Sequence, residues 1–427
     1  MTTAESPVRH FPLLLALHFA VGLTPQVNLH AEVLSRSDAV RMVIERNPEV
    51  EAARNAWEGA RARARLDRAP PDPEFEFEEL PRLGGSQHHG EHTIGVSQRV
   101  EFPLKWWHRL RAGRRQAEAA RLALYETAKL DMGMRAKNAY DRIALQRSLL
   151  RHARQDLDLA LEILRQARIR FEAGDVPQLD VMRASVEAGR ATNRLTAAEN
   201  DLSAARTGLN ALLARPLQTR FSISDSLFYQ PHDTDLDQLT DTALRQRPDL
   251  AGISLRLNAM ENRQGAATAA LFPDLNLGLA LQQRHGHGED SWLFRLGMEI
   301  PLWALSRQRG ERAEARAAVA RTEAEREALR YQVLLETEQA WRGLGTAGKQ
   351  VVLFQDRILP EAGRAFELAG RSYEEGKSSY LELLETQRTW IETLVEYAGV
   401  LFEYRAAEAA LERAVGSPLP ARSPAGN

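Results

Sequence analysis

Five of the chain's eleven histidines crowd into two short stretches, His88, His89 and His92 in one, His285 and His287 in the other. His88-His89-Gly90-Glu91-His92 spells the H-x-x-E-H order of some zinc peptidases. That chemistry needs both imidazoles on one face of a helix, with the glutamate beside the metal. Gly84, Gly85 and Gly90 crowd the same stretch and mark a turn instead. Zinc hydrolysis is therefore excluded, and at most a weak divalent-metal site in paired loops remains. A second candidate is acidic. Glu382 and Glu385 stand three apart in a helical pattern, which makes them neighbours on one face. Glutamates are also favoured near a helix start simply by the helix dipole.

Nothing else offers reaction chemistry. There is no P-loop, nucleophile elbow or dinucleotide fingerprint, so neither enzymatic activity nor a cofactor is expected. The absence of cysteine removes disulfides, thiolate zinc sites and thiol catalysis together. With 56 basic and 58 acidic residues the net charge is −2, which leaves no nucleic-acid footprint.

The elements that must position these residues are long helices. Val181, Ala184, Ala188, Ala191, Leu195, Ala198, Leu202, Ala205, Leu209 and Leu212 recur at 3,4 spacing, a narrow apolar seam of coiled-coil type. Leu383, Thr386, Trp390, Thr393, Tyr397, Val400, Tyr404, Ala407, Leu411 and Ala414 repeat the frame later in the chain. Each seam helix follows a glycine turn, at Gly174 and Gly376, after another long helical pattern. The first of those, from Leu104 to Val176, contains no proline and is long enough for a helix of about 100 Å. Pro360 should kink its counterpart.

The duplication covers the chain. Residues 1–31 read as a secretory signal, with Arg9 and His10 before the apolar run from Phe11 to Leu23 and a cleavage point after Ala31. Residues 37–216 form a first unit, its helix capped by Ser37 or Asp38 and running to Pro70-Pro71. Residues 217–236 are a linker, 237–418 a second unit, and 419–427 a tail. Each unit carries one β-hairpin, 73–103 and 273–302. In these the period changes to two: Phe75, Phe77, Ile94, Leu277, Phe294 and Leu296 mark one face, and Glu74, Glu76, Arg99, Glu101, Arg295 and Glu299 the other. Strands of nine or ten residues cross a bilayer when tilted, and Trp106, Trp107 and Trp303 lie just past them, where an aromatic belt would sit. An open sheet edge is not tolerated in lipid. Four strands fall short of the roughly eight that close a barrel, so a membrane location requires several chains to share one. The alternative is a soluble helical coiled-coil scaffold whose strands form a small cap.

The two Pro-flanked hairpins, the exits Phe102-Pro103-Leu104 and Ile300-Pro301-Leu302, and the paired glycine turns resemble the outer membrane efflux protein family, the TolC family, over nearly the whole length. The histidine loops tilt the likeness toward its heavy-metal (cobalt-zinc-cadmium) branch. The resemblance implies a mainly α fold with a transmembrane β-barrel part: a homotrimer whose twelve strands make one barrel in the outer membrane lipid of a Gram-negative bacterium, over a helical tunnel in the periplasm. It implies an exit duct joined to a periplasmic membrane-fusion adaptor and an inner-membrane RND-type pump. The adaptor would meet the tips Gly174, Asp175, Gly376 and Lys377. Glu382 and Glu385 would ring the inner mouth, and Asp180 with Tyr373 would help hold it shut, a hydroxyl-to-carboxylate hydrogen bond being a sensible latch. The family's latch arginine would fall at Ser378. Without cysteine the chain cannot carry the N-terminal lipid of some relatives.

Overall fold

The computed structural model describes residues 32–80, 91–284, 289–298 and 304–420. The proposed signal segment, Glu299, Trp303 and the histidines 88, 89, 285 and 287 lie outside them.

The chain opens on β1 (Glu32–Leu34) and α1 (Arg36–Arg46). The cap of α1 is Ser35, not Ser37 or Asp38. Its hydroxyl accepts from the Asp38 N–H at 3.1 Å and donates to the Asp38 carboxylate at 2.6 Å, a capping exchange that places Asp38 inside the first turn. The helix also ends earlier than its periodicity suggests. Asn47 turns extended and caps a new helix, α2 (Pro48–Leu66), by accepting from the Glu49 N–H. Pro48 cannot continue a helix but fits the first turn of one.

β2 (Glu74–Leu80) and β3 (Glu91–Val100) follow, then α3 (Pro103–Ala120), a π-turn (Arg121–Glu126) and α4 (Thr127–Glu172). α5 (Gln178–Leu212) runs back. β4 (Phe221–Ile223) lies inside the segment expected to be a linker and pairs in parallel with β1. The second unit repeats the order: α6 (Leu236–Gln246), α7 (Pro248–Ala269), β5 (Leu275–Arg284), β6 (Ser291–Met298), α8 (Ala304–Leu353), a π-turn (Phe354–Ile358), α9 (Leu359–Glu374) and α10 (Tyr380–Val415). At Pro360 the backbone widens into the π-turn just before the proline and then resumes. The ladder thereby skips the missing N–H instead of breaking. The first unit makes the same excursion without a proline.

The seams are cores. Ala184, Ala188 and Ala191 of α5 bury against Ile163, Leu164 and Ala167 of α4, with Tyr373, Leu383 and Leu384 of the second unit in the same cluster. Farther along, Leu202, Leu209 and Leu213 join Val43, Tyr140, Ile143 and Phe221. Among the described residues no helix is long and apolar enough to cross a membrane.

The sheet runs β2-β3-β5-β6, antiparallel throughout. Its register carries Phe75, Val96, Leu279 and Phe294 in one row across all four strands, and Phe77, Ile94, Leu281 and Trp292 in the next row on the same face. That face is open: Phe75 is 70% and Phe294 71% exposed. Among the described residues both edge strands, β2 and β6, are left with one unpaired side.

Candidate channel-lining and gating sites

On the opposite face of the sheet, Glu74 shares a row with Ser97, Gly278 and Arg295, and Glu76 one with Gly95, Ala280 and Leu293. Arg295 of the edge strand β6 reaches Glu76 of the other edge at 2.8 Å, across three strand spacings or about 14 Å of sheet. Gly278, Gly95 and Ala280 leave the floor between them clear. Arg99 and Glu101 sit lower. Arg99 bonds the Asp274 carboxylate at 2.9 Å, and Asp274 also accepts from the Phe102 N–H at 3.1 Å and from Lys105 at 2.7 Å. Glu101 lies just past β3 and holds Arg109 of α3 at 2.9 Å. These two carboxylates tie the strand ends to the start of the helix.

The far ends of the hairpins close identically. Gly174 and Gly376 take φ of +82° and +72°. The next N–H, of Asp175 and Lys377, reaches back to the carbonyls of Arg170 and Ser372, each at 2.8 Å, the Schellman pattern that lets glycine end a helix. All four tip residues are exposed. So are Glu382 and Glu385 on the first turns of α10, whose N-cap is Ser379.

Tyr373 lies beside them, but the latch expected of it is not made within the chain. Its side chain is buried, and among the described residues its hydroxyl has no hydrogen-bond partner. Asp180 instead stands 3.8 Å from Arg183, one turn along its own helix. What holds Tyr373 is Arg170, from the end of α4: its guanidinium lies 4.7 Å above the ring and donates to the Tyr373 carbonyl at 3.0 Å. Tyr380 packs edge-on to Tyr373, and its hydroxyl is likewise unpartnered. Burial, with the Glu187 charge nearby, pushes the Tyr380 hydroxyl up to about 12.

Two turns deeper, a buried cluster absent from the sequence expectations joins the two units. Asp156 of α4 and Glu187 of α5 are both buried. Arg194 bonds both, at 2.8 Å to Asp156 and 2.9 Å to Glu187, and Arg388 of α10 meets Glu187 at 2.5 Å. Gln387 donates to Asp156 at 3.4 Å. Burial alone would raise the Glu187 pKa. The hydrogen bonds from Arg388 and Arg194 outweigh it and hold the carboxyl below its usual range. Partners 201 and 231 residues apart give no local signal.

A second buried network sits where β1 and β4 pair. Tyr140 donates to the Leu34 carbonyl, Arg36 bonds Asp141, and Arg405 and His232 converge on Glu408 at 2.8 Å each. Arg36 also stands 3.7 Å from Glu408, which ties α10 of the second unit to α1 and, through Asp141, to α4 of the first. Of the loop histidines only His92 is described; it stacks on Phe77 and stands 4.0 Å from Glu79. Among the described residues no group of three or more His, Asp or Glu is placed to hold a metal ion.

Comparison with known proteins follows this geometry. A profile of the family described as outer membrane efflux protein matches residues 39–215 and 239–417, one stretch per unit. The chain is 28% identical over 309 residues to the pyoverdine export outer membrane protein OpmQ of Pseudomonas aeruginosa, a match covering 69% of this chain but 63% of that one, under two thirds of its length. It is 24% identical to the cobalt-zinc-cadmium resistance protein CzcC of Cupriavidus metallidurans, over 76% of this chain and 77% of that one. Among solved structures, CusC superposes with a TM-score of 0.77 at 19% identity, covering 97% of this chain and 99% of that one. At that identity the likeness speaks for the fold, helical tunnel and strand portion alike.

Proposed function

Because this chain belongs to the outer membrane efflux protein family, we propose that it is the exit duct of a tripartite efflux system. Three copies, each giving one four-stranded sheet, would close a barrel in the outer membrane, and the helices would extend as a tunnel into the periplasm. The observation that carries this is the sheet itself. Its exposed face carries two full rows of apolar side chains across all four strands, its other face is mostly polar or small, and among the described residues both edges are unpaired. In water such a sheet would aggregate. In lipid it is stable only when its edges pair with further copies.

The tips around Gly174, Asp175, Gly376 and Lys377 are the surface offered to a periplasmic adaptor, which hands over cargo from an inner-membrane RND-type pump. The exposed Glu382 and Glu385 would put six carboxylates around one axis in a trimer. Such a ring favours cations in a narrow passage, and divalent metal ions are the cargo class we propose, in line with the cobalt-zinc-cadmium resistance for which CzcC is named. In the test, solubilised outer membranes should yield a heat-modifiable oligomer of three chains. A deletion strain should become sensitive to cobalt, zinc and cadmium salts. A soluble periplasmic monomer would overturn the duct. Sensitivity to organic compounds alone, with metal tolerance intact, would overturn the cargo.

A further inference from the structure

Directly below the strands the chain is unusually basic. Residues 61–72 and 103–116 hold nine lysines and arginines against two acids, Asp67 and Asp72, in a chain of net charge −2. Four of the five on α3 fall on two opposite faces. Lys105 and Arg109 serve the polar side, paired with Asp274 and Glu101. Trp107, Arg111 and Arg114 recur at steps of four and three, so they form one stripe on a face turned away from Gly113, which packs on Asp67 and Ala64 of α2. Among the described residues neither Arg111 nor Arg114 has an acidic partner. Glu118, the next carboxylate along the stripe, is held by Arg121 at 2.8 Å. Trp107 is 40% exposed, and the Arg111 guanidinium lies 4.0 Å above its ring.

The depth of Trp107 and of the Arg111 guanidinium suits a lipid headgroup, with Arg114 about one turn below them. Side chains on a helix lean toward its N-terminus, and the N-terminus of α3 is the end that meets the strands. Arg111 starts eight residues down, about 12 Å at 1.5 Å per residue, but its guanidinium has climbed to the level of Trp107, about 6 Å below the strand exit. The polar layer outside the hydrocarbon core is about 5–7 Å thick on each side. The stripe is also free of subunit duties: α3 is flanked within the chain by α2 and α7, so a neighbouring copy would meet other helices.

We propose that Trp107, Arg111 and Arg114 bind the phosphate headgroup of an anionic glycerophospholipid in the periplasmic leaflet. Tryptophan holds the interface depth, and the unpaired guanidinium forks fit phosphate oxygens two at a time. This rests on the membrane location proposed above. The test is native mass spectrometry of the purified oligomer titrated with dioleoylphosphatidylglycerol, with dioleoylphosphatidylcholine as the zwitterionic comparison. The wild type should retain phosphatidylglycerol selectively, and the Arg111→Gln, Arg114→Gln double variant should lose about tenfold or more of that retention. Equal retention of the two lipids by the wild type overturns the inference, and needs no variant. So does displacement by an equal concentration of inorganic phosphate, which would mean a free-anion site. Loss of the oligomer in the double variant also overturns it, because the arginines would then serve assembly. In each of these cases a wild-type oligomer that inserts into vesicles leaves the barrel itself standing.

Discussion

Replacing Phe294 by arginine separates a barrel wall from a soluble cap. β3 and β5 have ten residues each, about 34 Å at 3.4 Å per residue. Tilted by about 45° they rise about 24 Å, the height of a barrel's apolar band. Val96 and Leu279 sit at the middle of these strands, and the register places Phe75 and Phe294 in the same row, so in the proposed barrel Phe294 would lie near the bilayer midplane. Arginine there should cost about 2–4 kcal/mol per chain, or about 6–12 kcal/mol summed over three distant copies. Leu293 is the neighbouring residue but belongs to the row of Glu76, Gly95 and Ala280 on the polar face. Arginine at that position meets water and the Glu76 carboxylate, and should cost less than about 1 kcal/mol. The assay is denaturant unfolding from lipid vesicles, with heat-modifiability as a second readout. Equal shifts for Phe294→Arg and Leu293→Arg would refute the two-faced wall, whatever their size.

Four further outcomes concern the tips and the helix turns just inside them. Arg388→Ala should loosen the second unit from the first: Glu187 keeps Arg194, and Arg388 is 44% exposed, so the cost is about 1–2 kcal/mol rather than that of a fully buried pair. The cysteine-free chain allows spin labels at Leu179→Cys and Leu381→Cys, and an unchanged distance distribution would rule the clamp out. The same labels report pH: Glu187 sits below its ordinary value of 4.5, so its contribution is present above 4.5 and fades as pH falls through the lower folded value. The tips should therefore separate in acid, and Glu187→Gln should abolish that response. Gly174→Val with Gly376→Val forces positive φ on branched residues, at about 1–2 kcal/mol each. Export should be lost with trimer yield normal, and intact export would remove the tips from the docking surface. Glu382→Ala with Glu385→Ala should lower cation preference in single-channel recordings, and unchanged selectivity would dismiss the acidic ring.

The sequence alone determined what depends on neighbours within a few turns. The period of two in both hairpins, the 3,4 seams, the glycine helix ends and the repetition of all three are local and recur twice, so the helical tunnel with its strand portion was legible before any coordinates. Boundaries were less so: periodicity runs unbroken past Asn47-Pro48, where only capping geometry shows that one helix ends and another begins. β1 and β4 are three residues each, too short for any period, and exist because each finds the other across the chain. The tertiary structure alone decided how the units are joined. Arg388 meeting Glu187, Arg170 covering Tyr373, and Arg36 beside Glu408 are partnerships that helix packing creates, and charged residues on helices otherwise look like solvated surface. It also decided that Tyr373 packs under an arginine, because its ring is buried against Tyr380 and Arg170 and its hydroxyl meets no acceptor among the described residues.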